Sequence, residues 1–192
     1  MRREHETLFW RRTDVQGLER LLLSVSTDVV LIKSTVVCVE DGGYRLDHRW
    51  TLTPDWRALS LDVERWGAAV HTRLTIERTD GGWKVDGARR VDLDGAEEPD
   101  LSVTPVCNTF PIRRTPVNEG ASLTLDTCFV DGATMTVARS RQRYERLGPD
   151  RLRYVDLGLS AGFAADLQVD GRGLIVRYQH MFERIEPSPG LI

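Results

Sequence analysis

Lysine, cysteine and long apolar runs are scarce in this sequence of 192 residues. Lys33 and Lys84 are the only lysines, so arginine supplies nearly all of the positive charge. The net charge of −3 argues against general attraction to nucleic acid or to an anionic membrane surface. No stretch approaches the roughly 18 apolar residues of a membrane-spanning helix, and residues 1–12 lack the apolar run of a secretory signal. We therefore expect a cytoplasmic protein with no integral membrane segment and no nucleic-acid partner.

The cysteines are few, odd in number and widely spaced, at Cys38, Cys107 and Cys128. No pair of them has the spacing of metal ligands. Free, reduced thiols are the usual state of cysteine in the cytoplasm. We expect three free thiols, no metal and no cofactor.

What the sequence has in abundance is turn signals separated by short alternating segments. Asp-Gly pairs recur along the chain and favour tight hairpin turns, because glycine accepts a positive φ and aspartate tolerates it. Between them, apolar and polar residues alternate with period two, as in an antiparallel strand with one face buried. The length suits one all-β domain, since such domains often reach roughly 200–250 residues. We predict an all-β, single-domain protein over residues 1–192, with a strongly curved antiparallel sheet forming a spindle-like β-barrel.

Few or no helices are expected. A short one is possible near Leu101–Asn108 or close to Arg65–Ala69. Arg89–Asp100 reads as a long acidic loop that is simply solvated, with a Ca²⁺ site as the alternative.

One predicted strand has an unusually polar inner face. Around Thr134–Tyr144, three alternating arginines share a face that we expect to meet solvent, because burying three unpaired charges is costly. They are Arg139, Arg141 and Arg143. The side chains that then point inward are those of Ser140, Gln142 and Tyr144. Buried polar groups need partners, which are either a structural network or a ligand.

Three further places combine polar and apolar signals. His48 is predicted to point inward beside Trp50. Arg57 enters the interior if the following strand already includes it, and stays outside if the strand starts later. Thr104–Arg114 carries two prolines around an Asn-Thr pair and ends in two arginines, which predicts a rigid loop presenting donors. In an extended segment Arg113 and Arg114 point to opposite sides, with Asp100 as a plausible partner for one of them.

Several motifs resemble those of a bacterial family called "Putative glycolipid-binding", once a domain of unknown function. They appear in the family's order and cover most of the chain. They are Phe9-Trp10-Arg11-Arg12, Asp55-Trp56-Arg57, Gly81-Gly82-Trp83, Asp100–Pro105, Asn108–Arg114, Gln142-Arg143-Tyr144, and Asp170–Tyr178 followed by Phe182. The resemblance implies a single-domain, spindle-shaped β-barrel with a cleft, similar in shape to carriers that shuttle lipoproteins in the bacterial envelope.

Three functions remain open at this point. The first is binding of a glycolipid or another amphiphilic small molecule in the cleft. The second is an interaction module whose barrel is filled by its own side chains. The third is an enzyme acting on a small carbonyl, ester or sugar, with Asp100, His48 or Tyr144 as acid–base groups, although no known catalytic motif is present. The ligand-binding candidates are Asn108, Thr109, Arg113, Arg114, Gln142, Tyr144, Arg57 and Trp10.

Overall fold

The structure is a computed structural model that describes residues 4–187. Fifteen β-strands and one α-helix account for most of the described chain. The first six strands are nine residues each: β1 Glu4–Arg12, β2 Gly17–Val25, β3 Val30–Cys38, β4 Tyr44–Leu52, β5 Ala58–Trp66 and β6 His71–Thr79. The next three are β7 Gly82–Val85, β8 Ala88–Arg89 and β9 Ala96–Leu101. Helix α1 spans Val106–Arg114. The last six are β10 Ser122–Val130, β11 Val137–Arg146, β12 Arg151–Asp156, β13 Ala164–Val169, β14 Ile175–Tyr178 and β15 Phe182–Ile185.

All fifteen strands belong to one sheet, in the order β8-β7-β6-β5-β4-β3-β2-β1-β15-β14-β13-β12-β11-β10-β9. Consecutive strands pair as antiparallel neighbours from β1 to β8 and from β10 to β15, β8 and β9 lie at opposite edges, and β1 pairs with β15 to join the two ends of the described chain. Only β9 and β10 are parallel, because the connection between them carries α1. The predicted all-β class and strongly curved antiparallel sheet are confirmed.

The two edges of the sheet meet through side chains instead of a strand ladder, so the expected barrel is not closed by strand pairing in the described part of the chain. The indole N–H of Trp83 in β7 donates to the Ala96 carbonyl at 2.8 Å. Glu98 in β9 accepts the backbone N–H of Ala58 at 2.8 Å.

Helix α1 fills the concave side of the sheet; it overlaps the short helix considered near Leu101–Asn108 and continues to Arg114, where a rigid loop was expected. Its residues from Val106 to Ile112 are all buried, and Phe110 packs edge-on against Trp50 of β4 with ring centroids 5.2 Å apart. Pro111 lies inside the helix and lowers its intrinsic propensity. Burial of the helix on nearly every side therefore stabilises it more than Pro111 destabilises it. The local sequence pattern does not show this burial, and it indicated a loop instead.

Two other local expectations are corrected. Arg89–Asp100 is not a long loop, because it contains a 3₁₀ turn at Val91–Leu93 and most of strand β9. No helix forms at Arg65–Ala69, where β5 runs on to Trp66. The parity of β11 is confirmed: its inward residues are buried and its three alternating arginines lie on the outer face.

Candidate functional site

A cavity of about 290 Å³ opens on the concave side of the sheet between β9, β12, β14 and α1. Its wall is largely aromatic. The rings are those of Phe129, Tyr154, Phe163, Tyr178 and Phe182. Tyr154 lies 5.8 Å from Tyr178 and 6.1 Å from Phe163, measured between ring centroids, at tilted angles. Such a wall presents both ring faces and ring edges to whatever occupies the cavity.

The polar part of the wall is built around two carboxylates. Asp156, at the end of β12, accepts the backbone N–H groups of Gly158 at 2.7 Å and Ser160 at 3.2 Å. Its other oxygen accepts the Tyr154 hydroxyl at 3.4 Å. These bonds fasten the segment 157–163 across the mouth of the cavity. Gly158 is required there, because a Cβ would collide with Ser140 on β11.

Asp100, in β9, is the second carboxylate. One of its oxygens accepts the Cys107 thiol of α1 at 3.0 Å. Burial raises the pKa of Asp100; the hydrogen bond from the Cys107 thiol opposes this rise, and the nearby charge of Asp156 adds a smaller increase. No lysine, arginine or histidine is among the described residues that line the cavity.

The floor of the cavity is a buried polar pair. Asn108 of α1 lines the cavity, and its side-chain carbonyl accepts the Tyr144 hydroxyl of β11 at 2.8 Å. Burial raises the pKa of Tyr144, so this hydroxyl stays neutral and remains a donor. The bond fixes the amide of Asn108 and ties the helix to the sheet beneath the cavity.

Gln142 and Thr109 lie in the same interior, on β11 and α1. Both side chains are buried. Among the described residues, neither the Gln142 Oε1 nor the Thr109 hydroxyl finds a hydrogen-bond partner. Unpaired buried oxygens are uncommon, since each one costs free energy.

Among the eight sequence candidates, Asn108 alone lines the cavity. The four candidates not yet described belong to other parts of the structure. Arg113 is exposed, stacks 4.7 Å above the Trp56 ring and donates to the Arg172 carbonyl at 2.5 Å. Arg57 precedes β5 and is exposed, so it does not enter the interior. Trp10 is fully buried and donates to the Ile175 carbonyl at 2.9 Å.

Arg114 has a different partner from the one expected. It pairs with Glu98 at 2.8 Å, not with Asp100. Because the segment is helical, Arg113 and Arg114 are separated by about 100° around the helix axis and do not oppose each other as in a strand. Arg114 therefore reaches Glu98. We call the region where Glu98 of β9 meets β5 and α1 the seam.

His48, a candidate acid–base group, is fully buried and does not line the cavity, but it belongs to a polar network whose Thr104 does. Its Nδ1 accepts the indole N–H of Trp50 at 2.9 Å, so the proton lies on Nε2, which donates to Glu19 at 3.0 Å. Glu19 also accepts the hydroxyls of Ser34 at 2.6 Å and Thr104 at 2.9 Å. This network links three strands to the segment before α1.

Sequence reasoning missed most of the cavity wall. Tyr154 and Asp156 point to the same side of β12 as the buried Leu152. The alternation in the sequence could therefore have predicted that the inward face of this strand becomes polar at its end. Tyr178 and Phe182 were singled out only as parts of the motifs that resemble those of the family. Their convergence depends on strands that are distant in the chain.

The comparisons with known proteins agree with this architecture. The family model described as "Putative glycolipid-binding" matches residues 7–184. No curated protein matches the chain. Among solved structures, the chain is similar to the crystal structure of a DUF1089 family protein from Pseudomonas aeruginosa, at 27% identity and a TM-score of 0.76. That similarity covers 87% of this chain and 92% of the other.

In the described part of the chain, no helix is long and apolar enough to cross a membrane. No group of three or more His, Cys, Asp or Glu residues within 4–187 is placed to hold a metal ion. The family model spans nearly all of the sheet and includes α1 and both cavity carboxylates. The chain therefore belongs to the Putative glycolipid-binding family.

Proposed function

We propose that this protein binds an amphiphilic small molecule of the glycolipid class, with the head group held in the cavity. The observation that carries the proposal is the combination of an aromatic wall with hydrogen-bonding groups at its floor and mouth. Ligand sites are typically concave, mostly apolar and supplied with a few placed polar groups. The cavity lies beside α1, which fills the concave side of the sheet, so a packed interior and an open cleft occur together.

The size of the cavity sets which part of the ligand enters. About 290 Å³ is near the lower limit of small-molecule sites, so it suits a head group and not a whole lipid. The segment 157–163 at the mouth carries no charged residue. Leu157 and Leu159 are 40% and 56% exposed there. In this proposal, these leucines support the hydrocarbon chain where it leaves the cavity.

Among the sequence candidates, Asn108 contacts the head group directly in this proposal. Tyr144 orients Asn108 through its hydroxyl, while Gln142 and Thr109 supply further buried oxygens beside the floor. The remaining candidates belong to the framework: Trp10 to the core, Arg57 and Arg113 to the surface, and Arg114 to the seam. The three thiols are free and buried, which suits a reducing compartment such as the cytoplasm.

The test is to block the mouth of the cavity. Ser160 is exposed and lines the mouth, whereas its neighbour Ala161 is exposed but does not line it. Octyl β-glucoside, below its micelle concentration, should raise the melting temperature of the wild type and of Ala161→Trp. Ser160→Trp should lose that stabilisation, since a ligand stabilises only the state that it binds. Equal stabilisation of both variants, or none in the wild type, would reject the proposal.

A further inference from the structure

We propose that the head group accepted by this cavity carries a positive charge, as the ammonium group of an amino sugar does. This inference rests on the proposed function and concerns the same cavity. Its basis is an imbalance of charge: Asp100 and Asp156 line the cavity, and no basic side chain from residues 4–187 lines it with them. An anionic head group would be repelled by these two carboxylates, so the cavity would discriminate strongly against it.

The two carboxylates are not equivalent. Asp156 is occupied by two backbone N–H groups and a tyrosine hydroxyl. Within the described residues, Asp100 has only the Cys107 thiol as a donor. A thiol is a weak donor, so Asp100 lacks both a strong hydrogen bond and a counter-charge. The carboxylate that is free to meet a ligand is therefore Asp100.

A neutral sugar would leave this arrangement incomplete. Its hydroxyls can donate hydrogen bonds to a carboxylate but carry no charge. A carboxylate buried without a cation is costly, whereas an ammonium group supplies both donors and charge. Burial raises the pKa of Asp100, so its charged form is disfavoured by itself, and an ammonium group beside it would favour that charged form again.

The aromatic wall suits the same ligand. A cation within about 6 Å of a ring centroid is attracted to the face of the ring, and cages of aromatic residues recognise ammonium groups in this way. Tyr154, Phe163 and Tyr178 surround one side of the cavity, with centroids 5.8 to 6.5 Å apart. The hydroxyls of both tyrosines remain neutral, because burial raises the pKa of Tyr154 and of Tyr178.

The experiment compares three octyl glycosides that differ only in head-group charge: the glucoside, the 2-amino-2-deoxyglucoside and the glucuronide. Isothermal titration at neutral pH should give the amino sugar at least tenfold tighter binding than the glucoside, and the glucuronide the weakest. Asp100→Asn keeps the shape of the side chain and should bring the amino-sugar preference close to one, with glucoside binding retained. Asp126→Asn is the matched control, because Asp126 pairs with Arg139 and Arg141 on the outer face of the sheet.

The possible outcomes separate the two proposals. Equal binding of the glucoside and the amino sugar by the wild type would overturn the charge inference and leave glycolipid binding intact. A preference that survives in Asp100→Asn would overturn the assignment to this cavity. Octyltrimethylammonium serves as a probe without a sugar: if it binds and no glycoside does, the charge inference stands and the glycolipid proposal fails. If none of the four probes binds, both are wrong.

Discussion

Glu98 joins the β9 edge of the sheet to β5 and to α1, and its removal is the sharpest test of how this fold is closed. The side chain is 1% exposed and accepts the Ala58 N–H and the Arg114 guanidinium, each at 2.8 Å. Arg78 lies 3.5 Å away. Burial raises the pKa of Glu98 against the opposing effect of Arg114, so the carboxylate is held in place at a real desolvation cost. Glu98→Ala leaves the Ala58 amide without its acceptor and removes the nearest carboxylate from Arg114 and Arg78, which keep backbone carbonyls as partners.

The expected loss is large. Removing one member of a buried ion pair typically costs roughly 3–5 kcal/mol, because the remaining charge is left uncompensated. For a chain of this size, that corresponds to a fall of roughly 6–20 °C in melting temperature. Glu97 is the matched control, since it is 41% exposed and 3.7 Å from the same arginine. Exposed ion pairs contribute about 0–1 kcal/mol to stability, so Glu97→Ala should change the free energy of unfolding very little.

Urea unfolding followed by tryptophan fluorescence measures both variants on one scale. The free energy of unfolding in water should fall by at least about 3 kcal/mol for Glu98→Ala and by less than about 1 kcal/mol for Glu97→Ala. Comparable losses in the two variants would show that burial does not decide the effect. A loss under about 1 kcal/mol for Glu98→Ala would show that the seam is not held by this carboxylate.

Three further predictions concern the floor of the cavity, the response to acid and the thiols. Tyr144→Phe removes the hydroxyl that, within the described residues, donates to the Asn108 side-chain carbonyl, and should lower the free energy of unfolding by roughly 1–3 kcal/mol in urea titrations; no loss would mean that water replaces the hydroxyl. Burial would raise the pKa of Asp170, but hydrogen bonds from Arg184 and two amides bring it below 3.8, so its contribution is present above that pH and lost as the pH falls below it. Thermal melts should therefore show a steeper acid loss in the wild type than in Asp170→Asn, and parallel curves would contradict this. Burial raises the pKa of Cys128 to about 12, so this thiol should resist alkylation in the native protein while all three react in denaturant, and rapid native labelling of Cys128 would refute its burial.

Local alternation in the sequence was sufficient to predict the faces of the strands. In β11, the choice between burying Gln142 and Tyr144 or burying three arginines could be made from parity and charge alone, and the structure agrees. The inward position of His48 follows from the same rule. This works because side chains in a strand alternate strictly, so one well-placed residue determines the side taken by its neighbours.

The same reasoning failed wherever distant segments decide the local state. Residues 106–114 form a helix despite Pro111, because the concave side of the sheet surrounds them. β9 becomes a strand by parallel pairing with β10, some thirty residues along the chain. The start of β5 after Arg57 depends on a register shift in its pairing with β4. None of these is encoded in a window of neighbouring residues.

By itself, the sequence determined the all-β class, the antiparallel hairpins and the inward face of β11, because these follow from side-chain period and turn chemistry over a few residues. Only the tertiary structure decided where a ligand could enter. The cavity wall draws Asp100 from β9, Asn108 from α1, Tyr154 from β12 and Tyr178 from β14. Their meeting depends on how the whole sheet curves and how the helix fills it, and no local pattern specifies that curvature.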